Sequence, residues 1–268
     1  MGAVTRGNNA WRILTVGGMT SFRALFNWLN PYIYVPSLVV APVMQILLFA
    51  FIGRSAGVGD DRFYLIGNAV QYAAIPCLFA MSHTIGGERR SQTLSLILAS
   101  PAPRIALFLG RSIPVVANGW FVCVVALAVG AGLLGVSLPG TAWAGLAVTC
   151  AVAAASCTGL GLVTGSLALV VRSSAVFDNV IFGLLLICAG ANVPLSALPT
   201  WMAALGRWLP MSHAIEASRE VAAGATLAQV APLLAREIGV GALCAALGLV
   251  LLRVLETRSR RAATLEIQ

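Results

Sequence analysis

Long uncharged, apolar runs alternate with short charged segments along this chain. A helix needs about 20 mostly apolar residues to cross a bilayer. Arg23 and Arg54 bracket a run that contains 32–52, and Arg62 and Glu88 bracket 63–87. Between Arg111 and Arg172 lies a stretch long enough for two helices. Ser137-Leu138-Pro139-Gly140-Thr141 breaks that stretch with a Pro-Gly turn, which gives spans at 112–135 and 142–170. A fifth apolar segment covers 176–193. The last, 233–255, reaches spanning length only if Arg236 snorkels. The pattern predicts an all-α integral membrane protein with six transmembrane helices.

Two further segments are helical without being spans. Over 8–30, Trp11, Leu14, Gly18, Phe22, Leu25, Phe26 and Leu29 share one helical face, and Arg12, Thr20, Arg23, Asn27 and Asn30 lie opposite. This predicts an amphipathic helix in the membrane interface, with a role in the machinery or as a simple anchor. Over 194–232, Pro194, Pro199 and Pro210 punctuate the chain, and Trp201, Leu205 and Trp208 repeat at helical spacing. Tryptophan favours the membrane interface, so short external helices dipping into the outer leaflet are expected there. Glu216, Arg219 and Glu220 read as a solvated helix face with an internal ion pair.

Composition agrees with the pattern: 59% of residues are hydrophobic and 10% charged. A soluble domain carries roughly 25% charged residues. The net charge of +8 would suit a nucleic-acid binder, but its placement argues otherwise. Six spans put both termini on one side. That side receives twelve of the 17 arginines, among them Arg6, Arg12, Arg23, Arg89, Arg90, Arg104 and Arg111, and the other side receives five. The bias satisfies the positive-inside rule with both termini in the cytoplasm of a plasma-membrane protein. No nucleic acid is needed to explain it.

All 17 basic residues are arginine. A P-loop needs a lysine to reach the transferred phosphates, so this chain has no such site, and any ATP is handled by another chain. His83 and His213 have no metal-spaced partners, and no catalytic residue or metal ligand is expected. Cys77, Cys123, Cys150, Cys157, Cys188 and Cys244 all fall in apolar stretches and read as core residues. Ionisable groups at mid-membrane, which a secondary transporter or channel would need, are missing apart from marginal Asp178.

The segment after the second span carries the most information: Glu88-Arg89-Arg90, Thr93-Leu94, Leu96, Leu98 and Ser100-Pro101. It resembles the coupling segment of the ABC-2 family of ATP-binding cassette transporter permeases, the type V exporter fold. Gln92 and Ser95 stand where that family usually has glycine and an acidic residue. A second match is Leu198-Pro199-Thr200-Trp201 followed by Leu209-Pro210-Met211-Ser212-His213-Ala214-Ile215-Glu216-Ala217-Ser218-Arg219.

The resemblance implies a single permease domain over 1–268 with a coupling loop at 88–103, external re-entrant helices in 194–232 and a cytoplasmic tail at 256–268. It implies pairing with a second permease copy or a paralogue, and docking of separate ABC ATPase subunits that bind ATP and magnesium. Glu88, Arg89, Arg90, Thr93, Leu94, Arg12 and Arg23 would couple to those ATPases. Spans two and five would flank the pathway, through Asn68, Gln71, Tyr72 and Phe79 on one and Asp178, Asn179 and Asn192 on the other. Asn68, Gln71 and His83 form a polar stripe that either lines a path or bonds neighbouring helices. Asp178 either pairs with Arg172 or favours a helix N-terminus. Trp201, Trp208, Glu216 and Arg219 mark the external helices. The expected cargo is an amphipathic small molecule such as a drug, antibiotic or lipid, with polysaccharide as the alternative.

Overall fold

A computed structural model describes residues 31–57, 60–84, 104–168, 171 and 174–261. Among these the chain is helical, without strands. Helix α1 is Pro31–Ala56, and α2 is Asp61–Tyr72, continued by a π-helical turn at Ile75–Phe79. Helix α3 is Arg104–Leu134, α4 is Ala142–Leu167 and α5 is Ser174–Cys188. Two short helices follow, α6 at Thr200–Trp208 and α7 at Ser212–Ala222, before the long α8 at Leu227–Arg261.

Five stretches are long and apolar enough to cross a membrane: Val39–Ala56, Asp61–Thr84, Gly110–Leu134, Ala142–Leu167 and Leu227–Leu255. The segment expected at 176–193 is instead a 15-residue helix. Gly190 (φ +82°) ends it, because a left-handed residue just past a helix satisfies the last carbonyls and turns the chain away. Asn192 therefore lies beyond the helix. Helix α8 begins at Leu227, earlier than 233. Pro232 falls in its second turn, where it removes the N–H that would bond the Ala228 carbonyl, and the helix runs through it.

The π turn has a local cause. Pro76 has no N–H to return to the carbonyl four residues back, and the helix widens around it. The same span then continues to Thr84.

Helix α4 is the centre of the bundle, packing on α3, α7, α8 and the π turn. Its small residues allow close approach. A Cβ added at Gly159 would lie 2.5 Å from the Gly241 carbonyl of α8, and one at Gly241 would lie 2.6 Å from the Ser156 Cα. Ser166 Oγ donates to the Gly248 carbonyl at 2.8 Å further along the seam. Backbone contact of this kind replaces the hydrophobic drive that helices lack in lipid. Arg54 and Asp61 pair at the α1–α2 connection, with Arg54 Nε 2.8 Å from Asp61 Oδ1. The pair is exposed and fixes the turn more than it stabilises the fold.

Candidate functional site

Near the α5 C-terminus, polar side chains from four elements meet. Asn68 is fully buried. Its Nδ2 donates to the Tyr64 carbonyl at 2.9 Å and to Asn192 Oδ1 at 2.8 Å, while its Oδ1 accepts from Gln45 Nε2 at 3.1 Å. Asn68 thus bonds α1, α2 and the segment after α5 together. Gln71 is also fully buried, and neither end of its amide has a partner among the described residues. His83 is exposed. The predicted stripe is therefore divided: two members face the protomer interior and the third faces out.

Arg219, on α7, reaches the same region. Nη1 donates to the Gly190 carbonyl at 2.8 Å, and Nη2 donates to Ala191 at 2.8 Å and to Phe63 at 3.3 Å. Its guanidinium lies over the Phe63 ring, 3.5 Å from the centroid. Gly190 and Ala191 follow the α5 C-terminus, where the helix dipole favours a cation. Gly67 leaves the space: a Cβ there would collide with the Ala191 carbonyl and approach Arg219 Nη2 to 2.7 Å. Burial pushes the Arg219 guanidinium down to about 10, with Glu216 opposing, so it stays cationic at neutral pH. The expected internal ion pair is corrected here. Glu216 and Glu220 are exposed, and Arg219 turns inward to carbonyls instead.

Glu237 is the second correction. It reads in the sequence as an acidic residue at a span end, but it is fully buried inside α8. It accepts from the Met211 N–H at 2.6 Å, from the Ala214 N–H at 3.2 Å and from the Ser156 hydroxyl. Met211 has φ +81°, and no side chain of α7 itself caps that helix. Glu237 is thus a remote N-cap, its negative charge at the positive end of the α7 dipole. Helix α7 is held at its start by Glu237 on α8 and near its end by Arg219 on the α5 terminus. Sequence reasoning passed over Glu237, Ser156, Gln45 and Gly67. One signal was available for Glu237: Val230, Leu234, Glu237 and Gly241 recur at helical spacing on one buried face.

A third cluster lies where α5 meets the end of the second span. Asp178 is fully buried on α5. Ser82, Thr164 and His83 stand around its carboxylate. Phe182, one turn on, meets Phe79 of the π turn edge to face, with centroids 6.4 Å apart. Tyr72 is buried beside Val122. Asn179 is exposed, its Nδ2 donating to the Ala175 carbonyl at 2.7 Å. Trp201 and Trp208 are 67% and 70% exposed on α6. Arg12, Arg23, Glu88, Arg89, Arg90, Thr93, Leu94 and Arg172 lie outside the described residues.

This is the chemistry of a scaffold with a polar interior. Among the described residues there is no group of three or more His, Cys, Asp or Glu side chains able to hold a metal. No curated protein matches the chain. The family model described as ABC-2 type transporter matches residues 18–222, most of its length. The chain belongs to that family: it is a multi-pass membrane protein and a permease of an ATP-binding cassette transporter.

Proposed function

We propose that this chain is the membrane subunit of an ATP-driven exporter that moves an amphipathic small molecule out of the cytoplasm or the inner leaflet. The observation that carries the reading is the family match across most of the chain, from inside the predicted amphipathic helix to the end of α7. The lack of any lysine agrees with it, since the phosphate-binding site must then belong to a partner.

In this reading α5 is the fifth membrane segment and α8 the sixth, the termini are cytoplasmic, and α6 and α7 lie on the external side. Two permeases, identical or paralogous, surround the path. ATPase subunits dock beneath, on the segment around Glu88–Ser100 and on the amphipathic helix with Arg12 and Arg23. ATP and magnesium are held by those subunits. Nucleotide must favour one permease conformation over another, or no transport is coupled to it. The choice of an amphipathic cargo over a polysaccharide follows from the path-side aromatics, which in the second span are Tyr72 and Phe79. Stacking of sugar rings asks for more.

The test is co-expression with the cognate ATPase and reconstitution into vesicles. A stable complex and ATP-dependent movement of an amphiphile are expected. Substituting Glu88 and Arg89 should leave insertion intact and separate ATP hydrolysis from transport. Transport that proceeds without ATP overturns the reading.

A further inference from the structure

Asp178 has an unusual position. Both carboxylate oxygens are buried without a hydrogen-bond partner among the described residues, and so is the hydroxyl of neighbouring Ser82. Thr164, also fully buried beside Asp178, turns its hydroxyl to the Gly161 carbonyl at 3.2 Å. The other buried carboxylate, Glu237, is satisfied by two N–H groups and a hydroxyl. Asp60, Glu216 and Glu220 are exposed, and Asp61 pairs with Arg54. An ionised carboxylate in an apolar interior needs a cation or several donors. Here two hydroxyls, from Ser82 and Thr164, stand beside the carboxylate and the exposed His83 acts on it as a charge, but among the described residues no hydrogen bond reaches either oxygen.

The apolar half of the site is adjacent. Phe182 lies four residues from Asp178 on α5, and Phe79 lies three residues from Ser82 on the second span. Residues so spaced share a helix face. The same two faces that bring Ser82 to Asp178 therefore bring Phe79 to Phe182. The π turn that ends at Phe79 sets the direction of that ring, and such turns are frequent at functional sites.

We propose that Asp178, Ser82 and Thr164, together with the Phe79–Phe182 pair, form a binding site for an amphipathic primary amine. An alkylammonium has three N–H donors and no acceptor. The two carboxylate oxygens and the Ser82 hydroxyl offer it matching acceptors, with Thr164 alongside. The hydrocarbon body lies on the two rings. A quaternary ammonium would call for an aromatic cage, and a single edge-to-face pair does not enclose one. The proposal rests on the exporter reading above and names the class of its cargo.

The test measures binding by the full-length permease in lipid nanodiscs, without ATPase. The probe is dansylcadaverine, a fluorescent primary amine, compared with its N-acetylated neutral derivative. Saturable binding of the amine alone is expected. Asp178→Asn should weaken it by about 30-fold or more, the scale of losing one partner of a desolvated charge pair. Ser82→Ala should weaken it by roughly three- to tenfold, and it guards against a folding defect in the first variant. Equal affinity of wild type and Asp178→Asn overturns the site. Asp178-dependent binding of sodium, with no saturable amine binding, would make it an inorganic cation site and also overturns the proposal. Intact Asp178-dependent binding without ATP-driven transport of any amphiphile would sink the exporter reading and leave the site standing.

Discussion

Glu237, buried, and Arg219, half-buried, use charge in the same way, each against the end of a helix. Glu237 satisfies two N–H groups at the start of α7, and Arg219 satisfies carbonyls just past the end of α5. Both remove orphan backbone groups that lipid or a dry interior could not solvate. Replacing Glu237 by alanine strips the acceptor from two buried donors and from Ser156. Each orphaned group costs about 1–3 kcal/mol. The expected result is a clear fall in the melting temperature of the detergent-solubilised protein. Glu237→Gln keeps one acceptor oxygen and should fall between wild type and alanine. Equal melting of all three proteins would contradict the capping role. These two charges also show what the sequence conveyed at this scale. Arg219 was legible as important, but its partners were not, because backbone carbonyls leave no trace in composition. Glu237 was hidden by Arg236 beside it, which made an interior acid look like half of a charged loop end.

Helices themselves were easier to read than their ends. Apolar runs between charges mark α1 to α4 and α8, since lipid imposes both length and hydrophobicity on a span. Ends depend on single backbone geometries: Gly190 cuts α5 short, and a proline in the second turn of α8 does not delay its start. Gly161 and Gly165, four residues apart in the sequence, form a small-residue spacing that permits close helix packing, but the choice of partner needs the fold. The α4–α8 seam is set by Gly159 and Gly241, whose backbones meet without side chains between them. Gly241→Val would place methyl groups against Ser156 and push the helices apart. Overpacking of this kind costs about 1–3 kcal/mol. It would also displace Glu237, one turn earlier, from the α7 N-terminus. Lower thermal stability and faster proteolysis between α6 and α8 are expected for this variant. Gly239→Val, where an added Cβ meets nothing within 4 Å, is the control and should behave as wild type. A seam variant as stable as that control would show that the close approach is not required.

The arrangement of the whole molecule turns on its arginines. Twelve lie in segments assigned to the cytoplasmic side, with four acidic residues, and five lie on the other side with five acidic residues. In the proposed topology the entire excess charge is on one face, where the positive-inside rule would have it orient the chain during insertion and where the proposed ATPases dock. The arrangement puts Trp208 outside, and the chain is well suited to testing that. Five of its cysteines are buried and Cys244 is half-buried, so native thiols should give little background. Trp208, by contrast, is 70% exposed on α6. In intact cells, Trp208→Cys should react with a membrane-impermeant maleimide added outside, whereas a cysteine in place of Arg260 should react only after the membrane is opened. The reverse pattern would invert the topology, and it would move the Asp178 cluster, close to the cytoplasmic end of its span in the present orientation, to the external side. An amine drawn from the cytoplasm would then meet the carboxylate last instead of first, so the labelling experiment decides whether Asp178 can serve as an entry site.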